Sequence, residues 1–323
     1  MNNNRVNILV VGLLSTGSSA LIDILREYSN INTLPGEFND FRAPGLVADQ
    51  LKSAPYYINN EINRLITIKG KIRWVYNIFP FLNPKFSIFK GVRDRYKYSM
   101  LRLKQLSLLE KLNSKIISEK SLEEKFKFSN EWIREVGNIE GENKDYIIFN
   151  QPLLPSIETN VWKKVFNPFK LIIVYRDPKD QLAEIIKKGN LFAPFGDSNL
   201  NLGGVTLETI YGRSRDGALR MHIDAIKRRF EWIDSLKKDL KSEEFLLVDF
   251  EGLIYNYPKY RNKIEDFIGN LSADKEKRKM YFDPENAKLN IGIYSQFLSL
   301  EEQKTLKELN RWYETSIKEN LIQ

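Results

Sequence analysis

The stretch VNILVVGLLSTGSSALIDILREY, residues 6–28, sets the fold class. Its first part, Val6–Val11, is apolar and typical of a buried parallel strand. A loop of small residues follows. The remaining residues carry apolar side chains at helical spacing, and Ser18 and Ser19 are suited to capping the start of that helix. The stretch therefore predicts a strand, a loop and a helix in succession.

The same alternation returns later in the chain. Further strands are predicted at Asn32–Leu34, Tyr146–Phe149, Lys170–Tyr175 and Glu244–Val248. Helices are predicted at Ser156–Phe166, Lys179–Lys188, about Asp216–Leu240, about Pro258–Ile268 and about Glu301–Leu321. Strands that alternate with helices predict an α/β protein with a parallel, doubly wound sheet flanked by helices.

Residues from about 44 to 143 depart from the alternation. Two charged segments within this range, Tyr96–Leu112 and Leu122–Val136, have apolar residues at helical spacing. No Pro/Gly/Ser-rich linker sets the range apart. We therefore predict one domain over residues 1–323 with a mostly helical insertion or cap at 44–143. We expect the aromatic residues in this range to form the core of a subdomain rather than to contact a sugar directly. These residues are Tyr56, Tyr57, Trp74, Tyr76 and Phe79.

Composition excludes several kinds of site. The 323 residues include no cysteine and a single histidine, His222. Disulfides, thiol nucleophiles, Cys-based zinc sites and multi-histidine metal sites are therefore excluded. The 50 basic and 42 acidic residues give a net charge of +8, which favours anionic partners but also fits an ordinary lysine-rich surface.

Membrane insertion and nucleic-acid binding are not predicted. The apolar run Ile8–Leu14 has seven residues, whereas a membrane span needs about 18. A polar leader precedes it, so we expect no signal peptide, no transmembrane helix and a cytoplasmic location. The basic helix at Asp216–Leu240 lacks any accompanying nucleic-acid motif. Peripheral membrane contact and the oligomeric state stay open.

The first loop, residues 12–19, is a candidate anion site. A glycine-containing turn that leads into a helix presents backbone N–H groups and the positive end of the helix dipole to a phosphate or sulfate. The loop lacks the Gly-Lys-Ser/Thr ending of a Walker loop and the Gly-x-Gly-x-x-Gly dinucleotide pattern. A tight strand–helix turn with serine caps is the alternative interpretation.

A second candidate is Arg176-Asp177-Pro178-Lys179-Asp180, directly after a predicted strand. Ligands of open parallel sheets bind beyond the carboxyl ends of the strands. A guanidinium placed there can form paired hydrogen bonds with a phosphate. The alternative is a cluster of ion pairs at the start of a helix.

Together the two loops resemble the sulfotransferase family that uses 3′-phosphoadenosine-5′-phosphosulfate. The downstream segments Leu246–Leu253 and Ile264–Gly269 resemble the late strand and helix of that family. The resemblance implies a P-loop-like three-layer fold and recognition of the donor's 3′-phosphate by Arg176. It also implies that the 5′-phosphosulfate is bound by Ser15, Thr16, Gly17, Ser18 and Ser19.

Two positions depart from the family pattern. Ser15 stands where the family usually has a Lys or Arg that neutralises the leaving phosphate. Glu184 stands where a serine commonly contacts the 3′-phosphate, and a carboxylate there would repel a phosphate. Arg213 and Arg215, in a Gly-rich loop, are candidates to compensate for both changes.

The resemblance also implies a general base. Glu37 follows the second predicted strand, at about the place where some sulfotransferases have a catalytic glutamate. A base would take the proton of the acceptor hydroxyl as its oxygen attacks sulfur. A glutamate in a surface turn is the alternative, and Asp40 and His222 are substitutes for the base. His222 is expected to be structural.

The resemblance therefore implies a sulfotransferase that moves a sulfuryl group from 3′-phosphoadenosine-5′-phosphosulfate to a hydroxyl of a sugar or glycan. No metal is required, because positioning and charge stabilisation carry such a transfer. An inactive nucleotide- or glycan-binding protein of the same fold is the alternative that the departures at Ser15 and Glu184 favour. A P-loop phosphotransferase is less favoured because the Walker lysine is missing.

Overall fold

A computed structural model describes residues 5–12, 15–34, 36–43, 46–52, 92–139, 144–192, 212, 214–274 and 280–318. Several predictions concern residues outside these ranges. They include the role of Arg213 and the aromatic residues Tyr56, Tyr57, Trp74, Tyr76 and Phe79.

Five strands form one sheet. They are β1 (Val6–Gly12), β2 (Ile31–Thr33), β3 (Tyr146–Asn150), β4 (Phe169–Tyr175) and β5 (Phe245–Asp249). Their order is β2-β3-β1-β4-β5, and the pairs β2–β3 and β4–β5 are parallel. The central strand β1 and its neighbour β4 are almost wholly buried, as expected for strands covered on both faces. The predicted α/β class with a parallel sheet is confirmed.

Helices alternate with the strands as predicted. In the first part of the chain they are α1 (Ser18–Leu25), α2 (Asn39–Arg42), α3 (Val47–Gln50), α4 (Val92–Ser118), α5 (Leu122–Gly137) and α6 (Thr159–Phe166). In the second part they are α7 (Pro178–Lys187), α8 (Arg215–Asp239), α9 (Phe250–Tyr255), α10 (Tyr257–Ile268), α11 (Pro284–Ala287), α12 (Tyr294–Phe297), α13 (Leu300–Thr305) and α14 (Lys307–Trp312). A 3₁₀ turn covers Lys288–Asn290, and a π-helical turn covers Tyr313–Lys318. Among the described residues, no helix is long and apolar enough to cross a membrane.

One predicted helix is divided in the structure. The uninterrupted helix expected at about Glu301–Leu321 appears, within the described residues, as α13, α14 and the π-helical turn. The break lies at Leu306, whose side chain is fully buried. Its N–H bonds to the carbonyl of Gln303, three residues earlier, at 3.3 Å. That bond closes α13 with a tighter turn, and α14 starts at the next residue.

The chain divides into two compact units, of which the first comprises Met1–Ile8, Asn30–Leu153 and Ile157–Phe169. Its helix α5 packs against both α4 and α6. A cluster of buried aromatic rings forms part of the core, namely Phe38, Phe41, Trp132, Phe149 and Phe166. The described part of the range 44–143 is mainly helical; its role as an insertion within a single domain stays a prediction.

The second unit comprises Leu9–Ser29, Leu154–Ser156 and Lys170–Gln323. A buried ion pair ties the end of α1 to α10 in this unit. Arg261 Nη1 lies 2.8 Å from Glu27 Oε2, and Arg261 Nε lies 2.8 Å from Glu265 Oε1. Glu27 is fully buried, so its charge depends on Arg261 for compensation. The pair holds the C-terminal end of α1 against α10.

We predict that Arg261→Ala lowers the free energy of unfolding by about 3–5 kcal/mol, because it removes the positive charge that is paired with the buried Glu27. Urea unfolding measures the loss. The double variant Glu27→Leu/Arg261→Met, which replaces both charges by apolar groups, should recover most of it. A loss below about 1 kcal/mol in Arg261→Ala would contradict the assigned role of the pair.

Candidate functional site

The first loop lies between the central strand β1 and helix α1. Ser15 and Gly17 both have positive φ values, 47° and 89°, and backbone that turns into the left-handed region can direct successive N–H groups toward an anion. Gly17 is the N-cap residue of α1 and has no side chain with which to cap the helix. The prediction that Ser18 and Ser19 cap α1 is therefore wrong, because the helix already begins at Ser18.

The serine and threonine side chains of the loop differ in exposure. Thr16 is 1% exposed, so its side chain faces the protein rather than solvent. Ser15 and Ser18 are partly exposed, and Ser19 is exposed. The accessible hydroxyls at the start of α1 therefore belong to the serines, and an anion at this helix end would meet them together with backbone N–H groups.

Gly17 is required by its surroundings as well as by its backbone conformation. A Cβ atom at this position would lie 2.2 Å from Cδ2 of Phe250. The ring of Phe250, the first residue of α9 after β5, therefore packs directly on the loop. The glycine in the sequence allowed the turn to be predicted, whereas nothing in the local sequence indicated Phe250 as its partner.

Arg176 joins the two loops that the sequence analysis singled out. Its Nη1 donates a hydrogen bond of 3.1 Å to the carbonyl of Ser15, and its Nη2 donates to the carbonyl of Asn290. Its guanidinium carbon lies 5.0 Å from the centre of the Phe250 ring. The residue is 2% exposed. In this structure the guanidinium binds backbone carbonyls, so the direct phosphate contact expected from the resemblance stays a prediction.

The other charged residues predicted near the donor have partners of their own. Arg215 Nε lies 2.7 Å from Glu302 Oε1, and its Nη2 donates to the carbonyl of Phe297 at 3.1 Å. Hydrogen bonding with Arg215 lowers the pKa of Glu302. Glu184 is largely buried, and its Oε1 lies 3.2 Å from Lys188 Nζ. That ion pair offsets part of the negative charge expected to repel a phosphate.

The three candidates for the general base occupy different environments. Glu37, in the first unit, has a side chain that is 52% exposed and forms an ion pair with Arg42. Asp40 is fully buried and is paired with Arg102. His222, in the second unit, is 2% exposed, its Nε2 lies 2.8 Å from the carbonyl of Leu191, and burial lowers its pKa to about 4. Of the three, only Glu37 is accessible; the structural role expected of His222 stays a prediction.

Two carboxyl groups lie at the end of β5 near Arg176: Asp249, the last residue of the strand, is buried, and Glu251 is partly buried. Glu251 Oε1 lies 3.9 Å from Arg176 Nε and accepts a hydrogen bond of 3.2 Å from the N–H of Asp177. The hydroxyl of Tyr313 donates toward Asp249 at 3.1 Å and lies 3.3 Å from Glu251. The pKa of Glu251 is raised, mainly by burial and secondly by electrostatic repulsion from the neighbouring Asp249. Among the described residues, no group of three acidic or histidine side chains is arranged to hold a metal ion.

Comparison with known proteins gives structural neighbours only. No family model matches the sequence, and no curated protein matches it. The chain is similar to a sulfotransferase domain from the Synechococcus PCC 7002 olefin synthase, with 13% identity, a TM-score of 0.45 and coverage of 91% of this chain and 83% of the other.

Two further solved structures are similar over most of the chain. A sulfotransferase from Mycobacterium avium has 11% identity, a TM-score of 0.45 and coverage of 95% of this chain and 76% of the other. A sulfotransferase domain from the curacin biosynthetic pathway has 12% identity, a TM-score of 0.41 and coverage of 96% and 98%.

We predict that Gly17→Ala destabilises the protein more than Gly189→Ala. Both glycines have positive φ, but a Cβ at Gly189 meets no atom within 4 Å. Gly189→Ala thus reports backbone strain alone, about 1–2 kcal/mol. Gly17→Ala adds displacement of the Phe250 ring, and urea unfolding should show a loss larger by at least about 1 kcal/mol. Equal losses would mean that the ring does not hold the loop.

We also predict that Glu251 makes stability fall as the pH rises. The pKa of Glu251 is raised from 4.5 to about 8, so between these values the folded protein binds more protons than the unfolded chain. Its free energy of unfolding should decrease across that range by up to about 1.4 kcal/mol per pH unit. In Glu251→Gln that decrease should be absent, whereas the exposed control Glu243→Gln should keep it. Urea unfolding at several pH values measures the slope, and an unchanged slope in Glu251→Gln would contradict the prediction.

Proposed function

We propose that this protein is a sulfotransferase that moves a sulfuryl group from 3′-phosphoadenosine-5′-phosphosulfate to a hydroxyl group, with a sugar or glycan as acceptor. The observation that supports it most is the 3.1 Å hydrogen bond from Arg176 to the carbonyl of Ser15. It joins the two loops on which the resemblance rests, and these loops follow the adjacent strands β1 and β4. Ligands of α/β sheets bind at such carboxyl ends, where the strand order changes direction.

The loop residues fit an anionic donor group. The N-cap residue of α1 is Gly17, which carries no side chain, and the exposed Ser19 lies in the first turn of the helix. Backbone N–H groups at such an end bind phosphate or sulfate and carry the favourable helix dipole. In the proposed site, Ser15, Gly17, Ser18 and Ser19 surround the anion. When bound, the nucleotide would supply the activated sulfuryl group.

The remaining roles are assigned to residues with suitable chemistry. Glu37 would remove the proton of the acceptor hydroxyl, since it is the accessible carboxylate among the predicted bases. Arg176 would act by holding the loop, and Arg213 and Arg215 are candidates for the second phosphate. The glycan acceptor rests on the resemblance and on aromatic residues outside the described ranges.

A nucleotide-binding protein without transfer activity is the second candidate. Two observations favour it, namely Ser15 in the place of the usual basic residue and the burial of Arg176 against two carbonyl groups. Both reduce the positive charge that is available to stabilise the phosphate group released from the donor.

Two measurements test these functions. Calorimetry with 3′-phosphoadenosine-5′-phosphate should show binding, and ATP should compete weakly. Sulfuryl transfer to a glycan panel should fall about 10²–10⁴-fold in Glu37→Gln, because glutamine cannot accept the proton, while nucleotide binding is retained. The exposed control Glu123→Gln should keep full turnover.

The possible results separate the candidates. Nucleotide binding without turnover on any acceptor would favour the binding protein. Absence of binding to the wild-type protein would overturn both functions, and preferred binding of ATP would point to a phosphotransferase. Normal turnover in Glu37→Gln would remove the base assignment only.

A further inference from the structure

The turn between the 3₁₀ segment and α12, Asn290–Tyr294, is held by two charged side chains, Arg176 directly after β4 and Asp180 in the first turn of α7. Asp180 Oδ2 accepts a hydrogen bond of 2.7 Å from the N–H of Gly292, and its Oδ1 accepts one of 3.1 Å from the N–H of Tyr294. Arg176 donates to the carbonyl of Asn290. The carboxyl group of Asp180 therefore accepts hydrogen bonds from two backbone amides of the turn, and the guanidinium of Arg176 donates one to a backbone carbonyl.

These bonds satisfy backbone groups that short helices leave unpaired. Asn290 ends the 3₁₀ turn and Tyr294 begins α12, so the Asn290 carbonyl and the Tyr294 amide lie at helix ends. The cap residue of α12, Ile293, has no polar side chain, and no side chain of its own segment caps the helix. Arg176 and Asp180 supply both missing partners from another part of the chain.

Asp180 is not the residue that caps its own helix. It lies in the first turn of α7, but Asp177 is the N-cap residue there and accepts a hydrogen bond of 2.8 Å from the N–H of Lys179. Asp180 is 2% exposed, and a buried carboxylate is stable only when it is well hydrogen-bonded. Its bonds to Gly292 and Tyr294 meet that need.

Arg176 extends the connection to the first loop. The same guanidinium that binds Asn290 also binds the carbonyl of Ser15. Ser15 has a φ of 47°, which is unfavourable for a residue with a side chain and persists only where surrounding contacts hold it. A hydrogen bond from a buried, permanently charged group is such a contact.

We infer that Asp180 is a positioning residue of the donor site: by fixing the Asn290–Tyr294 turn it keeps Arg176 in place, and Arg176 in turn fixes the backbone of the first loop. The assignment of the loop as a donor site rests on the proposed function, whereas the mechanical link from Asp180 to the loop does not. A purely local role would stabilise the turn and leave Ser15–Ser19 unaffected.

Amide hydrogen exchange of the full chain without ligand tests the link. In Asp180→Asn, exchange should rise about tenfold or more in peptides covering residues 288–297, because an amide side chain cannot replace a carboxylate that binds two N–H groups. Exchange should also rise in peptides covering residues 15–19. Faster exchange at 288–297 with no change at 15–19 would overturn the inference.

Glu27→Gln is the matched control. It also removes a buried carboxylate charge in the same unit, but its partner is Arg261. Glu27→Gln should lower the free energy of unfolding measured in urea. Amide exchange at residues 288–297 and 15–19 should then rise no more than it does on average across the second unit. Equal local effects in both variants would show that Asp180→Asn acts only through general destabilisation, which would also overturn the inference.

A second variant covers the case in which Asp180→Asn does not fold. Gly292→Ala strains the turn, because Gly292 has a φ of 74°, and its Cβ would meet no atom within 4 Å. It should raise exchange at 288–297 and at 15–19 in the same way, and unchanged exchange at 15–19 would again overturn the link.

Nucleotide titration separates this inference from the proposed function. If wild-type protein binds 3′-phosphoadenosine-5′-phosphate, Asp180→Asn should weaken that binding about tenfold, while Glu27→Gln leaves it within about twofold. Unchanged affinity in Asp180→Asn would overturn the positioning role. If the wild type does not bind the nucleotide, the proposed function fails, and the exchange results still decide whether Asp180 holds the loop.

Discussion

Arg176 carries a permanent positive charge at a position that is 2% exposed, and an arginine cannot lose its proton to escape the cost of burial. Its surroundings must therefore supply acceptors. They are the carbonyls of Ser15 and Asn290, the face of the Phe250 ring and, at 3.9 Å, the carboxyl group of Glu251. Three separate segments meet this requirement, namely those that contain Ser15, Asn290 and Phe250-Glu251, so the position of each depends on the same guanidinium.

This arrangement affects how an anion can be recognised. With Ser15 in the place of a basic residue and Arg176 directed at carbonyls, the first loop offers mainly backbone N–H groups and serine hydroxyls. A helix dipole contributes only about 0.3–1 kcal/mol to binding a charge. Under the proposed function, most of the affinity for the nucleotide would then come from hydrogen bonds, each worth about 1.5–3 kcal/mol when the partner is charged. The geometry of the first loop consequently matters more for affinity toward an anion than the protein's net charge of +8.

Burial separates the acidic residues that could act chemically from those that stabilise the fold. Asp40 and Glu27 are fully buried and are paired with Arg102 and Arg261, and an ion pair of this kind is costly to break. Glu37 is paired at the surface with Arg42, where water screens the interaction and keeps the carboxylate accessible. All of these carboxylates lie near other polar residues in the sequence, and none of the three pairings was predicted from it.

The alternation of apolar strands with helices determined the α/β class, because the period of apolar residues depends only on local geometry. The glycine turn after β1 and the Arg-Asp-Pro run after β4 likewise marked the two loops. Tertiary structure alone decided that Arg176 turns inward, that Phe250 packs on Gly17 and that Asp180 binds the turn at Gly292. The partners of these contacts are separated by more than 100 residues in the chain. Local sequence patterns carry no information about such pairs, since only the packing of the folded chain brings them within hydrogen-bonding or van der Waals distance.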